Sequence, residues 1–512
     1  MIPRLWKNPF RLTSNFHSEK LISVYLRFLP EEAKASLQMM PINLELQSNL
    51  NFQRDSASSL LIQSNSSPSQ SNSTLTASTQ ITFNYFNYPK FLRELDVDEL
   101  YYAVRKWCFC NDNIPVLSKT LLSYQCERQI LLILQELFKL FMRSSERFDY
   151  LSLDIKTVEP LGRDDIIGYI SLPGFPEENG CLRQLKKFIS RGYYEKHQIF
   201  NSMALYCKNI QELTVEDNDS TNGDSLVDLI AVQRNLRKFT IADWWGCLLK
   251  IVQALTTQID TLVYVEIYCC HFYELVDDSR TFEGLSLCVN LETLKIEKCH
   301  NITGEIMQPL AIATFSKLRT FHFSTFIYPD DIDSPCLELS AMIQNTKGRL
   351  ENLSLDMDLS NYPKIIKTCA KNCPNLNYFK AKILSHDEIK QLLELLENCR
   401  KLEILKINDR YETGRVGPLS LELLPYMGHL IPPTLKYLKI YEWTCTPREL
   451  EAFLNSCKAR LKKMSFMCLE NSKSYYLEII KEYARNNNRV VKGYKKTEEW
   501  DVSFKLSIEF YD

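Results

Sequence analysis

One spacing of apolar residues recurs along most of this chain: an apolar residue, two variable residues, a second apolar residue, one variable residue and a third apolar residue. From Ile210 onward the starts are 26, 26, 29, 27, 32, 26, 26, 33 and 26 residues apart. Such self-similarity indicates a repeat array. A weaker copy starts at Leu182 and Leu185. The clear copies are Phe148-Leu151-Leu153, Ile210-Leu213-Val215, Leu236-Phe239-Ile241, Leu262-Val265-Ile267, Leu291-Leu294-Ile296, Leu318-Phe321-Phe323, Leu350-Leu353-Leu355, Leu376-Phe379-Ala381, Leu402-Leu405-Ile407, Leu435-Leu438-Ile440 and Leu461-Met464-Phe466.

Each copy predicts one strand and one helix. Its last two apolar residues alternate with polar ones, which is typical of a short strand with one buried face. Between strands, apolar residues such as Ile389, Leu392 and Leu396 recur at helical spacing. One such unit is too small to bury its apolar face alone, so neighbouring units must stack into one core. We therefore predict an α/β solenoid, with a curved parallel sheet inside and helices outside.

Cysteines follow the same register. One lies three or four residues before the first apolar residue of five copies, at Cys207, Cys288, Cys373, Cys399 and Cys457. A thiol behaves as a small buried hydrophobe, so we expect these side chains to pack between coils. The segment from Leu291 through Cys299 to Thr303 resembles the cysteine-containing class of leucine-rich repeat. The resemblance implies a leucine-rich-repeat solenoid of about eleven or twelve coils.

The two ends of the chain differ from the repeats. From Val502 to Phe510 apolar and polar residues alternate, which predicts a strand that caps the last coil. A stretch rich in serine and asparagine has little to bury and predicts a disordered loop. The resulting domains are a helical segment at 1–53, the low-complexity loop at 54–82, a helical cap region at 83–147, the solenoid at 148–493 and a capping strand at 494–512.

The first residues carry a family resemblance. The segment from Ile2 to Pro9 resembles the one that directly follows an F-box in the F-box/leucine-rich-repeat proteins of fungi, and the segment from Phe83 to Pro89 is also similar to that family. The resemblance implies a substrate-recognition subunit of an SCF-type ubiquitin ligase. Such a subunit holds a protein target for ubiquitin-dependent degradation and binds a Skp-type adaptor, and through it a cullin.

The F-box helices themselves are missing from this sequence. Leu29-Pro30-Glu31-Glu32 resembles an F-box opening but lies after the Leu5-Trp6 element instead of before it. We expect either a truncated gene model with an F-box upstream, or a paralogue that has lost adaptor binding. The alternative function is therefore a leucine-rich-repeat interaction scaffold with no role in a ubiquitin ligase.

Composition argues against several other functions. The formal net charge is -2, whereas general nucleic-acid binding needs a basic surface. No secretory signal opens the chain, and the apolar run from Ile130 to Met142 is too short to span a bilayer. The 17 cysteines are odd in number and irregularly spaced, which favours free thiols in a reducing compartment. We expect an intracellular protein of the cytoplasm, the nucleus or both.

Motifs for catalysis and for cofactors are missing from the sequence. It contains no phosphate-binding G-x-x-x-x-G-K-[ST] or G-x-G-x-x-G, no G-x-S-x-G and no H-E-x-x-H. The densest groups of metal ligands, Cys108-Phe109-Cys110 and Cys269-Cys270-His271, do not have paired zinc spacings. We therefore expect no enzyme activity, no metal and no cofactor.

The variable positions of the strands define a candidate binding surface on the inner face of the sheet. The central column is Ser152, Thr214, Thr240, Glu266, Lys295, His322, Ser354, Lys380, Lys406, Lys439 and Ser465. The next column is Asp154, Glu216, Ala242, Tyr268, Glu297, Ser324, Asp356, Lys382, Asn408, Tyr441 and Met467. The candidate partner-binding residues are Lys295, His322, Lys380, Lys382, Lys406, Lys439, Tyr268 and Tyr441.

Charge is unevenly distributed over this surface. Its N-terminal half is neutral to acidic, and its C-terminal half carries lysines in neighbouring coils. The simpler interpretation is solvated charge on an exposed sheet. The sharper one is a groove for an acidic or phosphorylated segment of a protein target. Aromatic residues near strand ends are possible anchors, about half of them expected in the core: Trp244, Trp245, Tyr268, Tyr411, Tyr441 and Trp443.

Overall fold

A computed structural model describes most of the chain. The described residues are 7–12, 18–38, 87–109, 119–154, 180–192, 196–217, 222–246, 248–272, 280–326, 335–357, 362–382, 386–408, 423–469, 472–487, 489–500 and 503–511. The predicted low-complexity loop at 54–82 lies outside them, as does Tyr411. The chain divides into two compact units, Met1–Gln211 and Glu212–Asp512.

The first unit is mainly helical. Its helices are α1 (Pro9–Leu12), α2 (Ser18–Leu26), α3 (Glu31–Gln38), α4 (Val97–Phe109), α5 (Lys119–Ser144) and α6 (His197–Tyr206). Its strands β1 (Glu94–Asp96), β2 (Tyr150–Leu153) and β3 (Lys187–Ser190) pair in parallel in that order. The core includes an edge-to-face contact between the rings of Tyr25 and Phe141, whose centroids are 4.8 Å apart. The weak repeat copy at Leu182 leads into β3, so it forms a strand like the clear copies.

The second unit alternates strands and helices. Its helices are α7 (Gly223–Ala231), α8 (Leu248–Ala254), α9 (Glu283–Ser286), α10 (Gly304–Ile312), α11 (Cys336–Asn345), α12 (Tyr362–Asn372), α13 (His386–Asn398), α14 (Leu423–Leu430), α15 (Pro447–Ser456) and α16 (Lys473–Asn486). Its strands are β4 (Glu212–Glu216), β5 (Lys238–Ala242), β6 (Tyr264–Tyr268), β7 (Thr293–His300), β8 (Thr320–Phe326), β9 (Asn352–Asp356), β10 (Tyr378–Lys382), β11 (Ile404–Asn408), β12 (Tyr437–Cys445), β13 (Lys463–Leu469), β14 (Val490–Trp500) and β15 (Ser503–Tyr511).

These strands form a sheet whose order follows the chain. From β4 to β13 each strand pairs in parallel with the next, and helices separate them in sequence. The predicted α/β architecture with a solenoid-like repeat is confirmed at this level. At the far end β15 pairs antiparallel with both β13 and β14. The sequence predicts one strand here, whereas the structure has two.

The apolar positions of the repeat form the core of the second unit. Phe239, Val265 and Leu294 lie in register on neighbouring strands and are fully buried. The cysteines at the matching positions are buried as well, except Cys457, which is partly exposed. The Cys399 thiol donates to the carbonyl oxygen of Cys373 in the preceding coil at 3.2 Å. This contact confirms the predicted packing between coils for Cys399.

Hydrogen bonds from side chains to the backbone also join successive coils. The residue just before the first apolar position of a copy is often asparagine or threonine, and its side chain donates to a backbone carbonyl of the preceding coil. Asn290 donates to Asp260 at 3.0 Å, and Asn375 donates to Gly348 at 2.9 Å. Thr434 donates to Leu402 at 2.8 Å. These bonds satisfy carbonyl groups that the loops leave without a helical or strand partner.

Candidate binding face of the sheet

The predicted central column is present in the second unit. Because the flanking apolar residues are buried, alternation along each strand places the column on the opposite face, which we call the open face. The aligned residues, each paired with the next across neighbouring strands, are Thr214, Thr240, Glu266, Lys295, His322, Ser354, Lys380, Lys406, Lys439 and Ser465, followed by Ser507 on β15.

In the N-terminal part of the open face, cross-strand pairs compensate the charges. The Lys295 ammonium lies 3.5 Å from the Glu266 carboxylate and 5.5 Å from the centre of the Tyr264 ring. His322 Nδ1 lies 3.4 Å from Glu297, and a hydrogen bond from His322 is the main cause that lowers the pKa of Glu297. These groups therefore offer little net charge to a ligand.

Two further predicted residues also take part in local contacts. Tyr268 lies on β6, and the Lys298 ammonium sits 5.3 Å from the centre of its ring. Lys380 makes a 2.7 Å ion pair with Asp356 of the neighbouring strand β9. Tyr441 lies on β12, opposite Asn408 of β11, but its side chain is outside the described part of the chain.

The C-terminal part of the open face contains a basic groove. We call it the lysine groove and define it by Lys406, Lys439, Lys463 and Lys505. The groove has a volume of about 460 Å³ and is also lined by Tyr437, Ser465 and Ser507. Lys463 makes a 2.7 Å ion pair with Glu509. The groove therefore brings four lysine side chains together on one part of the open face.

The electrostatics of the groove favour an anion. Burial and then the positive charge of Lys505, Lys406, Lys463 and Lys380 lower the pKa of Lys439. Burial and then Lys380 lower the pKa of Lys406. A bound anion would relieve this repulsion between like charges, so binding would raise both pKa values. Within the described part of the chain, the groove is therefore a place on the open face where lysines of neighbouring strands repel one another.

The sequence prediction and the groove agree only in part. Lys406 and Lys439 line it as expected, whereas Lys463 and Lys505 were missed. Lys505 comes from the antiparallel strand β15, whose pairing with β13 the repeat spacing does not predict. The prediction that Lys382 belongs to the binding surface is wrong, because this residue is only 3% exposed. Alternation assigns a residue to one face of a strand but does not show what else covers it.

A second cluster on the open face lies where strands β5 to β8 end. Four rings stack in line in successive coils, and we call them the aromatic ladder: Trp245, His271, His300 and Phe326. The ring centroids are 4.7, 4.2 and 5.0 Å apart along this series. The outer members Trp245 and Phe326 are 51% and 50% exposed. The ladder therefore presents ring surface to solvent.

Backbone geometry explains how the ladder forms. The residue after the aligned strand segment adopts a left-handed conformation in three successive coils, at Asp243, Cys269 and Lys298, with φ of 51°, 52° and 54°. In each coil the next residue turns into the core, as buried Trp244 shows for the first coil. The residue after that returns to the open face and carries a ladder ring.

The sequence predicts part of this arrangement. About half of the aromatic residues near strand ends were expected in the core, and of the Trp244-Trp245 pair one is buried and the other exposed. The Trp443 side chain lies outside what the structure describes. The sequence analysis does not predict the ladder, because it considers His271 only as part of a possible metal site. An aromatic residue three positions after the strand in consecutive copies was the available signal.

Metal ligands and membrane helices were also sought among the described residues. They contain no group of three or more histidine, cysteine, aspartate or glutamate side chains placed to hold a metal ion. Cys270 of the Cys269-Cys270-His271 group is buried, while His271 belongs to the ladder. None of the described helices combines the length and the apolar character that crossing a bilayer requires. No protein-family model matches the chain, and no curated protein matches it either.

We expect the ladder to make the stability of the fold depend on pH. Burial and then the neighbouring His271 lower the pKa of His300 below its usual 6.5. The unfolded chain therefore binds this proton more readily than the folded chain does. The contribution of neutral His300 is complete above about pH 6.5 and is lost as the pH falls through the folded-state pKa. We expect the urea midpoint to decrease from about pH 7.5 to about pH 5.5.

A His300→Phe variant should keep the stacking and reduce this pH dependence. A His429→Asn variant, on the exposed surface of α14, is the control and should keep the wild-type dependence. Glu297 affects stability in a lower pH range. Its pKa is lowered from 4.5, so its contribution to the free energy of unfolding is lost only below that pH. An H300F variant with an unchanged pH dependence would contradict the assignment to His300.

Proposed function

We propose that this chain is a leucine-rich-repeat protein that binds a protein target on the open face, and that it acts as a substrate-recognition subunit of an SCF-type ubiquitin ligase. The observation that carries the binding role is the lysine groove, which brings four lysine side chains together on the open face of a repeat sheet. Membership of the ligase rests on the resemblance of the Ile2 to Pro9 segment to F-box/leucine-rich-repeat proteins.

The target is an acidic or phosphorylated segment that lies extended on the sheet. A carboxylate or phosphate in the groove would replace repulsion between lysines by charge-assisted hydrogen bonds. The hydroxyls of Ser465 and Ser507 form a hydrogen bond of 2.8 Å with each other at the groove, which leaves one hydroxyl hydrogen as a further donor. Since the charge is local and the formal net charge is -2, the groove suits one anionic segment better than a long polyanion such as nucleic acid.

The second candidate is an interaction scaffold without a ligase role. The order of two sequence elements favours it. Leu29-Pro30-Glu31-Glu32, which resembles an F-box opening, follows the Leu5-Trp6 element, whereas an F-box would precede that element. Both candidates act by binding, with no catalysis, metal or cofactor of their own. They also share the proposed place of action, which is the cytoplasm, the nucleus or both.

A pull-down with a purified Skp-type adaptor separates the two candidates. The full chain and a version extended by the genomic sequence upstream of Met1 are each mixed with the adaptor and a cullin. The ligase role predicts a complex with at least one of them. If neither version forms a complex while a phosphopeptide still binds, the scaffold role is supported and the ligase role is contradicted.

A further inference from the structure

We infer that the target segment is bound at two points of the open face, with an anionic group in the lysine groove and an apolar side chain on the aromatic ladder about seven residues away. This inference rests on the proposed function and gives the target a specific pattern. It follows from four features of the second unit: the shared face, the hydrogen-bonded backbone of the ladder, the charge on this face and the distance between the two clusters.

The ladder and the groove lie on the same face of one sheet. On β8, His322 belongs to the central column, and Phe326 lies four residues further along the strand. Exposed and buried residues alternate along this strand, so both residues are on the open side. The central column continues without a break in register to Lys439, which lines the groove. One extended segment can therefore reach both clusters without leaving the face.

The ladder backbone is already ordered by hydrogen bonds between coils. The amide of His271 donates to the Trp244 carbonyl at 3.0 Å, and the amide of His300 donates to the Cys270 carbonyl at 2.9 Å. The amide of Phe272 donates to the His300 carbonyl at 3.1 Å. Aromatic rings that stack on such an ordered backbone lose less conformational entropy on binding than free side chains do, which is typical of residues that dominate binding energy.

Charge shows what kind of partner covers the ladder. The Lys298 ammonium lies over the ring of Tyr268, three residues before His271, and the lysine groove lies further along the same face. The exposed rings of Trp245 and Phe326, joined by two imidazoles, form a longer aromatic surface than the single exposed hydrophobic residues of an ordinary surface. The complementary occupant is an acidic protein segment that carries one aromatic or large aliphatic side chain.

The distance between the clusters fixes the spacing of this pattern. Strands β9, β10 and β11 lie between β8 and β12, so Phe326 and Lys439 are four strand steps apart. Four steps span about 19 Å, and the four residues from His322 to Phe326 add about 13 Å along the strand direction. The diagonal is about 23 Å, which an extended chain covers with about seven residues.

Fluorescein-labelled peptides test the two-point binding. Each carries a phosphoserine and a leucine or tryptophan separated by about three, seven or eleven residues, with the apolar residue on either side of the phosphoserine. Fluorescence anisotropy with the full chain should show about tenfold tighter binding for the seven-residue spacing than for the same peptide with glycine in place of the apolar residue.

A Trp245→Ser/Phe326→Ser double variant should lose this gain while keeping the affinity for phosphoserine alone. Tyr475→Ser is the matched control, because Tyr475 is 62% exposed on helix α16 and should not contribute. An apolar residue that adds less than about twofold at every spacing would overturn the inference but leave the lysine groove standing. Failure of every phosphopeptide to bind would overturn the proposed target chemistry as well.

Discussion

Reversing two charges of the lysine groove, with Lys406→Glu and Lys439→Glu together, should weaken binding of an acidic phosphopeptide by about 100-fold or more. Each substitution removes a charge-assisted hydrogen bond and adds a repulsive carboxylate. The two residues occupy neighbouring strands in register and face the same groove. Isothermal titration calorimetry with the full chain at low salt measures the loss directly, and added salt should reduce the wild-type affinity.

A matched control keeps the same change in net charge. Lys367 and Lys371 are exposed on helix α12, on the side of the sheet opposite the groove, so their reversal to glutamate should leave the affinity nearly unchanged. Lys382 is left unchanged in both variants. Because it is buried, its substitution would report on the stability of the fold and not on binding. An equal loss of affinity in the control would mean that net charge, and not the groove, attracts the peptide.

Two glycines should show the largest effects on stability, because helices of neighbouring coils approach each other closely there. A Cβ added at Gly284 of α9 would overlap the carbonyl oxygen of Val252 in α8, with the carbonyl carbon at 3.1 Å. A Cβ at Gly428 of α14 would lie 2.7 Å from the Phe453 oxygen in α15. We expect Gly284→Ala and Gly428→Ala each to lower the free energy of unfolding by about 2–3 kcal/mol.

Helix propensity alone would predict the opposite result, because it favours alanine over glycine by about 1 kcal/mol in a helix. Gly223→Ala at the start of α7 is the control, because its Cβ would meet Trp244 at an ordinary 3.7 Å. Urea denaturation followed by circular dichroism should place this control near wild type. A stabilising Gly284→Ala or Gly428→Ala would show that the coils are packed less closely at these helices.

The sequence predicts the strands of the repeat well, because burial of apolar residues determines which residues face the core. Once Leu405 and Leu438 are assigned to the core, alternation assigns Lys406 and Lys439 to the open face, and the structure pairs them. Contacts made by segments outside the repeat are harder to predict. Lys505 reaches the groove through an antiparallel strand that lies outside the repeat.

The aromatic ladder shows a second limit of prediction from the pattern. Its rings depend on the left-handed residues Asp243, Cys269 and Lys298, none of which is a glycine that would mark such a turn. Each residue in this conformation shifts the alternation by one position, so a strict two-residue period assigns the following residues to the wrong face. The coil-to-coil contacts of His271 and His300 therefore became visible only in the structure.

Photo-crosslinking is the most direct test of where the target binds. An acidic peptide with a benzophenone residue next to its phosphoserine is irradiated with the full chain, and the crosslinked residues are mapped by mass spectrometry. The account predicts crosslinks within 404–408, 437–441, 463–467 and 503–509, the strand segments around the lysine groove. Crosslinks concentrated on the helices, or in the first unit, would contradict the claim that this sheet face holds the target.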